Sequence, residues 1–151
     1  ALIHFSESIC RNTPVEVLEP NTGMFFEKVE LRTDSGGAGK YRGGLGLLRD
    51  IRFVSDGEFL TVMKKSKTRP WALQGGLEPE ANTIIAFPGT DREMRMSTKR
   101  VPVSKGDRIF VLTAGGGGYG DPKTRDRHKV RRDVIDELVS PEMARKIYGW
   151  E

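Results

Sequence analysis

Glycine is the residue that most constrains this chain, because its 18 glycines stand in clusters rather than at even intervals. The clusters occupy residues 36–46, 75–76 and 115–120, with structured-looking sequence between them. They show neither the triplet period of collagen nor the spread of a flexible linker. Clustered glycine indicates that the backbone turns sharply or comes very close to another group.

Short strand-like runs separated by turn residues fill the chain as far as Pro122. After an irregular first segment, the predicted strands are residues 15–18, 25–31, 47–54, 59–63, 83–87, 101–103 and 108–113. Asp56-Gly57 predicts a tight turn that makes a hairpin of the runs on either side. Pro102 restricts its strand to a sheet edge. This pattern predicts a β-rich α+β fold, with short antiparallel strands in a sandwich- or barrel-like body.

The pattern changes after Pro122. Apolar residues then recur every four positions with charges between them, at Val130, Val134 and Leu138. They predict an amphipathic helix that starts near Asp126. Ser140-Pro141 predicts the start of a second helix, and Gly149 its end. A chain of 151 residues fits one domain, which we divide into a β-rich body with glycine loops, residues 1–122, and a carboxy-terminal helical segment, residues 123–151.

The charge pattern argues against a nucleic-acid-binding protein. The 25 basic residues are balanced by 21 acidic ones. The densest basic runs, residues 64–69 and 125–132, have no aromatic residues between them, so they favour solvated faces or a contact with a partner subunit. No apolar run approaches the length of a membrane span, and no signal peptide is visible.

A single cysteine, Cys10, excludes an internal disulfide and favours a reducing, cytoplasmic setting. The histidines are His4 and His128, so a packed thiol is favoured over a catalytic one. Nothing in the sequence shows the spacing of a metal site. The chain begins at Ala1, which is expected either for a piece of a longer polypeptide or after removal of methionine.

Two glycine strings resemble nucleotide-binding loops. Residues 115–120 satisfy the pattern Gly-x-Gly-x-x-Gly, but a dinucleotide site needs a helix to open at the third glycine. Asp121-Pro122 follows instead, so we reject this reading. Residues 34–40 resemble a phosphate-binding loop without its spacing. They leave two readings open: a tight structural loop, which we favour, or an anion nest from Gly36 to Gly43.

Trp71 is flanked by Pro70 and follows a basic run. An aromatic residue in this setting either plugs a loop or stacks on a ligand, and we favour the plug.

Several strings, taken in order, resemble the carboxy-terminal end of the hydantoinase B/5-oxoprolinase family. They are Asn12-Thr13-Pro14-Val15-Glu16, Asp34-Ser35-Gly36-Gly37-Ala38-Gly39-Lys40-Tyr41-Arg42-Gly43-Gly44, Pro70-Trp71-Ala72-Leu73 and Gly115-Gly116-Gly117-Gly118-Tyr119-Gly120-Asp121-Pro122. The chain departs from the family pattern at Glu137, where glycine is frequent.

The resemblance implies a part of a B-type subunit that is not catalytic alone. It implies partnership with the remainder of that subunit and with an actin-like ATPase A-type subunit. The full complex would use ATP and a divalent metal to hydrolyse a cyclic amide such as a hydantoin or 5-oxoproline. The alternative is an acetone- or acetophenone-type ketone carboxylase. An alternative of another class is a stand-alone anion- or nucleotide-binding module that uses the Gly36–Gly43 loop.

The resemblance places no catalytic, cofactor-binding or metal-ligating residue in this chain. It implies that the glycine loops shape the subunit interior or border its cavity. The candidate cavity-lining residues are Asp34, Gly36, Gly37, Gly39, Arg42, Gly117, Tyr119 and Asp121.

Overall fold

The structure, a computed structural model, describes residues 13–150. Within this range the strands are β1 (Met24–Leu31), β2 (Leu47–Phe53), β3 (Gly57–Val62), β4 (Thr83–Ala86), β5 (Met94–Met96), β6 (Thr98–Val103) and β7 (Arg108–Leu112). The helices are α1 (Val15–Thr22), α2 (Arg127–Ile135) and α3 (Pro141–Tyr148), and a 3-10 turn, Pro122–Thr124, precedes α2. The predicted β-rich α+β class is confirmed.

The strands pair antiparallel in two sheets. One sheet has five strands in the order β1-β2-β7-β4-β5, and the other contains β3 and β6. The chain passes from the first sheet to the second twice, between β2 and β3 and, through the single residue Ser97, between β5 and β6. Pro102 lies in β6 opposite Glu58, so the predicted edge position is confirmed. The short strand β5 was not predicted.

The first hydrophobic core collects buried residues from both sheets. These are Ile51, Phe53, Ile84, Ala86, Phe87, Met96, Val101, Val103 and Ile109. In β4 and β6 they alternate with more exposed residues, as expected for strands with one buried face. Ile84 and Ile109 are almost completely buried, and burial of a side chain of this size contributes about 2 kcal/mol.

The two carboxy-terminal helices start where predicted, and both have side-chain caps. The Asp126 carboxylate accepts a hydrogen bond from the His128 amide at 2.8 Å, and the Ser140 hydroxyl accepts one from the Met143 amide at 3.1 Å. Such caps satisfy amides that the first helical turn leaves without partners. Gly149 ends α3 with φ of 61°. None of the helices between residues 13 and 150 combines the length and apolar character needed to cross a bilayer.

A second hydrophobic core lies under these helices. Its buried residues are Ala38, Val130, Val139, Ala144 and Tyr148. Ala38 belongs to the first glycine string, so the helical segment packs directly on the glycine loops. This contact fixes the glycine loops relative to the two carboxy-terminal helices.

Our prediction of a strand at residues 15–18 is wrong, because these residues begin α1. A run of four residues is too short for apolar alternation to distinguish a strand from a helix. In the helix, the Val17 and Leu18 amides both donate to the carbonyl of Pro14. Gly23 then ends α1 with φ of 64°, a conformation that glycine adopts at low cost.

Our prediction of a hairpin around Asp56-Gly57 is also wrong. Both sides of β2 are already paired, with β1 and β7, so β3 has no free edge there. Instead β3 pairs with β6, with Gly57 opposite Val103. The Asp56 carboxylate accepts a hydrogen bond from the Lys105 amide at 2.8 Å, which fixes the turn against that distant partner.

Candidate functional site at the crossing of the glycine loops

Three loops meet at one end of the five-stranded sheet, and we call their meeting the glycine crossing. It comprises residues 35–46 between β1 and β2, residues 71–77 between β3 and β4, and residues 114–120 after β7. Six of the eight candidate cavity-lining residues lie in it, and a seventh, Asp34, directly precedes its first residue. The eighth, Asp121, follows its last residue.

Backbone hydrogen bonds join the three loops into one unit. The Gly37 amide donates to Gly116 at 2.8 Å, and the Leu77 amide donates to Ala38 at 2.7 Å. Tyr41 and Tyr119 exchange two bonds, each of 3.0 Å. Buried backbone groups must find partners, and at this crossing each loop supplies partners for the others.

The glycines are required because backbone meets backbone with no room for a side chain. A Cβ atom added at Gly117 would lie 1.9 Å from the Trp71 carbonyl oxygen, and one added at Gly43 would lie 2.0 Å from that of Gly116. Added at Gly37 it would lie 2.2 Å from Leu77 O. The Cβ atoms at Gly36 and Gly39 would each meet a backbone atom at 2.6 Å. These glycines therefore allow the backbones of neighbouring loops to approach each other closely.

The geometry supports the structural reading of the Gly36–Gly43 loop over the anion nest. A nest binds anions through amides that point into a shared concavity. Here the amides of Gly37, Lys40, Tyr41 and Gly43 donate to carbonyls within the crossing. These four amides are therefore occupied by the protein's own backbone.

The dinucleotide reading of residues 115–120 also fails on geometry. The 3-10 turn that follows begins at Pro122, which has no amide hydrogen. The next amide, that of Lys123, donates to the Asp121 carboxylate at 2.9 Å. The first long helix after the string, α2, begins only at Arg127. No helix opens at the third glycine, as the sequence predicted.

A buried ion cluster joins the first glycine loop to the helical segment. Asp133 in α2 accepts two bonds of 3.2 Å from Arg42, and one of 2.8 Å from Arg125. The side chains of Arg42, Arg125 and Asp133 are 14%, 10% and 9% exposed. Two cations share one carboxylate, so the cluster carries a net positive charge in a poorly solvated place.

Tyr148 of α3 lies beside this cluster. Burial raises the pKa of its phenol, while the positive charges of Arg125 and Arg42 oppose that rise. The phenol therefore stays neutral near neutral pH and acts as a packed side chain of the second core.

Asp34 makes a second connection between the glycine loops and the helical segment. Its carboxylate accepts a hydrogen bond from the Ser140 amide at 2.8 Å, and its own amide donates to Leu138 at 3.2 Å. Asp34 has φ of 61°, an unusual conformation for a residue with a side chain. Its position is fixed by these two contacts.

The structure thus separates the candidate residues by place. Gly37 and Gly39 are buried, Gly36 and Gly117 are partly buried, and Tyr119 is 49% exposed. Asp34 and Arg42 bind the helical segment, and Asp121 caps the 3-10 turn. Whether any of them lines a cavity of a larger complex stays a prediction.

Our sequence reading missed Asp133 as the centre of the ion cluster. A usable signal was present, because Asp133 stands three residues after the apolar Val130, which places the two on one helical face. An acidic residue on a buried face needs a buried partner. Our preference for Trp71 as a loop plug is wrong, since its side chain is 67% exposed.

No three side chains of histidine, cysteine, aspartate or glutamate converge to form a metal site among residues 13–150. His128 is exposed at the start of α2. His4 and Cys10 lie outside the described residues, so our interpretation of the thiol is not tested.

Comparison with known proteins agrees with this architecture. The family described as Hydantoinase B/oxoprolinase matches residues 1–122. An uncharacterised protein from Methanocaldococcus jannaschii is 35% identical over 137 residues, which cover 91% of this chain and 24% of that protein. The caprolactamase subunit beta of Pseudomonas jessenii is 30% identical over 141 residues, covering 89% of this chain and 24% of that subunit.

Two solved structures share the fold. The ATP-dependent caprolactamase from Pseudomonas jessenii superposes with a TM-score of 0.75 at 28% identity, over 90% of this chain and 24% of that one. A nucleotide-free acetone carboxylase superposes with a TM-score of 0.77 at 20% identity, over 91% of this chain and 23% of that one. The chain spans about a quarter of the length of these relatives. By the extent of the family match, it belongs to the hydantoinase B/oxoprolinase family.

Proposed function

We propose that this chain is the carboxy-terminal part of the B-type subunit of an ATP-dependent cyclic-amide hydrolase of the hydantoinase/5-oxoprolinase type. It contributes structure and cavity-lining loops and has no catalysis of its own. The observation that carries this proposal is the family match over residues 1–122, together with a caprolactamase subunit as a 30% identical relative.

The geometry of the glycine crossing supports a structural contribution. Four amides of its first loop donate to the protein's own carbonyls. Its charged neighbours Asp34 and Arg42 are engaged with the helical segment. No metal-binding cluster was found among residues 13–150. In this proposal other parts of the complex hold ATP and the metal.

The proposed partners are the remainder of the B-type subunit and an actin-like ATPase A-type subunit. The relatives are about four times as long as the matched region, which covers 24% of two of them. We also propose a cytoplasmic setting, which the single cysteine in the sequence favours.

A ketone carboxylase of the acetone or acetophenone type is the second candidate. The acetone carboxylase likeness rests on 20% identity and supports the shared fold alone. The stand-alone anion-binding module is disfavoured, because four amides of its loop donate to the protein's own carbonyls.

Reconstitution tests the proposal. The chain alone, and the chain with its A-type and remaining B-type polypeptides, are given ATP and magnesium with hydantoin, 5-oxoproline, caprolactam or acetone plus labelled bicarbonate. We expect cyclic-amide hydrolysis only by the full set. Turnover by the 151 residues alone would refute the proposal, and fixation of bicarbonate into acetone would replace hydrolysis with carboxylation.

Calorimetry with ATP, phosphate and bicarbonate separates the stand-alone module from the subunit. We expect no saturable binding by the isolated chain. Micromolar binding that Lys40→Ala abolishes would favour the module, because Lys40 is exposed in that loop and makes no ion pair with the described residues.

A further inference from the structure

The glycine crossing carries an exposed apolar surface, which we call the platform and define as Tyr41, Leu73 and Tyr119. Tyr119 pairs antiparallel with Tyr41 on one side and parallel with Leu73 on the other. Side chains of residues that pair across neighbouring strands lie on one face. The three are 57%, 55% and 49% exposed, in the order Tyr41, Leu73, Tyr119. Three large side chains therefore stand together in solvent.

The crossing beneath the platform holds these side chains in place. The ring centroids of Tyr41 and Tyr119 are 6.2 Å apart, and their backbones exchange two hydrogen bonds of 3.0 Å. The Leu73 amide donates to Gly118, and the Gly120 amide donates back to Leu73. A surface ordered before binding loses little conformational entropy when a partner packs on it. Tyrosine is also enriched in the cores of protein interfaces.

Lysine ammonium groups lie close to an aromatic ring of the platform and to one near it in sequence. The Lys40 ammonium lies 5.9 Å from the centre of the Tyr41 ring. Trp71, which precedes Leu73 by two residues and is 67% exposed, has the Lys65 ammonium 5.6 Å from its ring centre. A complementary partner would present an apolar centre with carboxylates at its edge.

We propose that the platform is the surface on which the remaining part of the B-type polypeptide packs, through an apolar centre bordered by acidic side chains. This inference rests on the proposed function. Length argues for this occupant: the matched region is 24% of a single polypeptide in both the Methanocaldococcus jannaschii protein and the caprolactamase chain. About three quarters of each relative thus has no counterpart here. An exposed, contiguous apolar patch marks an interaction surface.

A binding experiment with point variants tests the platform. The chain is mixed with the B-type polypeptide of its own complex, shortened so that it lacks this portion. Biolayer interferometry then measures the affinity between the two. The variants are Tyr41→Ser, Tyr119→Ser and the triple variant with Leu73→Ser. The matched control is Leu60→Ser, because Leu60 on β3 is 57% exposed, much like Leu73.

We expect each tyrosine substitution to weaken binding at least tenfold and the triple variant to abolish it, while Leu60→Ser stays within threefold of the unaltered chain. Circular dichroism and thermal unfolding check that all variants fold. Unaltered affinity of the triple variant would overturn the inference and leave the proposed function standing. Absence of binding by the unaltered chain would instead count against the proposed function. Self-association of the chain that the triple variant removes would assign the platform to a second copy, which also overturns the inference.

Discussion

In the two-sheet core, side chains keep the backbones apart, whereas in the glycine crossing one backbone lies directly on another. Ile84 and Ile109 fill the space between the sheets. At the crossing, a Cβ atom on Gly118 would lie 1.9 Å from the carbonyl oxygen of Ala38. A packed side chain can change rotamer when its neighbour changes, but a hydrogen-bonded backbone has no equivalent freedom. The two regions should therefore differ in how they tolerate small substitutions.

The regions also differ in how they treat charge. In the sheet, buried Asp50 pairs with Arg108, whose side chain is 47% exposed. The hydrogen bond and negative charge of Asp50 raise the pKa of Arg108 above its ordinary value. Beside the crossing, Asp133 holds two arginines that are both nearly buried. Removal of the carboxylate leaves one exposed cation in the first case and two buried cations in the second.

Asp133→Ala should therefore have the largest effect. Loss of the carboxylate leaves Arg42 and Arg125 buried without their charge partner, which costs about 4 kcal/mol of unfolding free energy. Urea denaturation followed by circular dichroism measures this loss. Asp136→Ala is the control, because its ion pair with Arg132 is exposed, at 47% and 85% respectively, and should change stability by about 0.5 kcal/mol or less. Equal effects of both substitutions would show that the buried cluster does not stabilise the contact between the glycine crossing and the helical segment.

Gly118→Ala should come next. One methyl group would have to displace the Ala38 carbonyl, so we expect a loss of about 3 kcal/mol. Gly44→Ala is the matched control in the same crossing, since a Cβ atom there meets nothing within 4 Å. Thermal unfolding compares the two. A Gly118→Ala chain as stable as the Gly44→Ala chain would contradict the rigidity that we assign to the crossing.

Ile109→Val measures the more tolerant region. Ile109 is fully buried, but it loses only one methylene and its neighbours can partly repack, so we expect a loss of about 1 kcal/mol. Ile135→Val, at a position 67% exposed in α2, should be close to neutral. A loss for Ile109→Val as large as that for Gly118→Ala would remove the difference between the two regions.

The same contrast explains how far sequence could predict the structure. The runs that became β2 and β7 are long enough for their apolar pattern to indicate strands. The helix starts at Asp126 and Ser140 depend on local chemistry, and both were predicted correctly. The pairing of β3 with β6 could not be predicted, because it depends on which sheet edges remain free.

The candidate site could be predicted only in part, because its contacts join loops that lie far apart in the sequence. The glycine strings indicated close backbone approach, which the crossing confirms at Gly43 and Gly117. They could not indicate which loop approaches which, because the partners lie far apart in the sequence. The exposure of Trp71 likewise depends on loops that meet only in the folded chain.

Glu137→Gly should have the smallest effect and the opposite sign. Glu137 follows α2 with φ of 56°, in the left-handed region that a side chain disfavours and glycine adopts freely. The Thr33 hydroxyl donates to its carbonyl at 2.7 Å, a contact that needs no Glu137 side chain. We expect a gain of about 0.7 kcal/mol in unfolding free energy, partly offset because glycine also loosens the unfolded chain. Glu137→Ala keeps the Cβ atom and should give no such gain. If urea denaturation shows equal stability for both variants, the left-handed backbone at Glu137 does not lower the unfolding free energy.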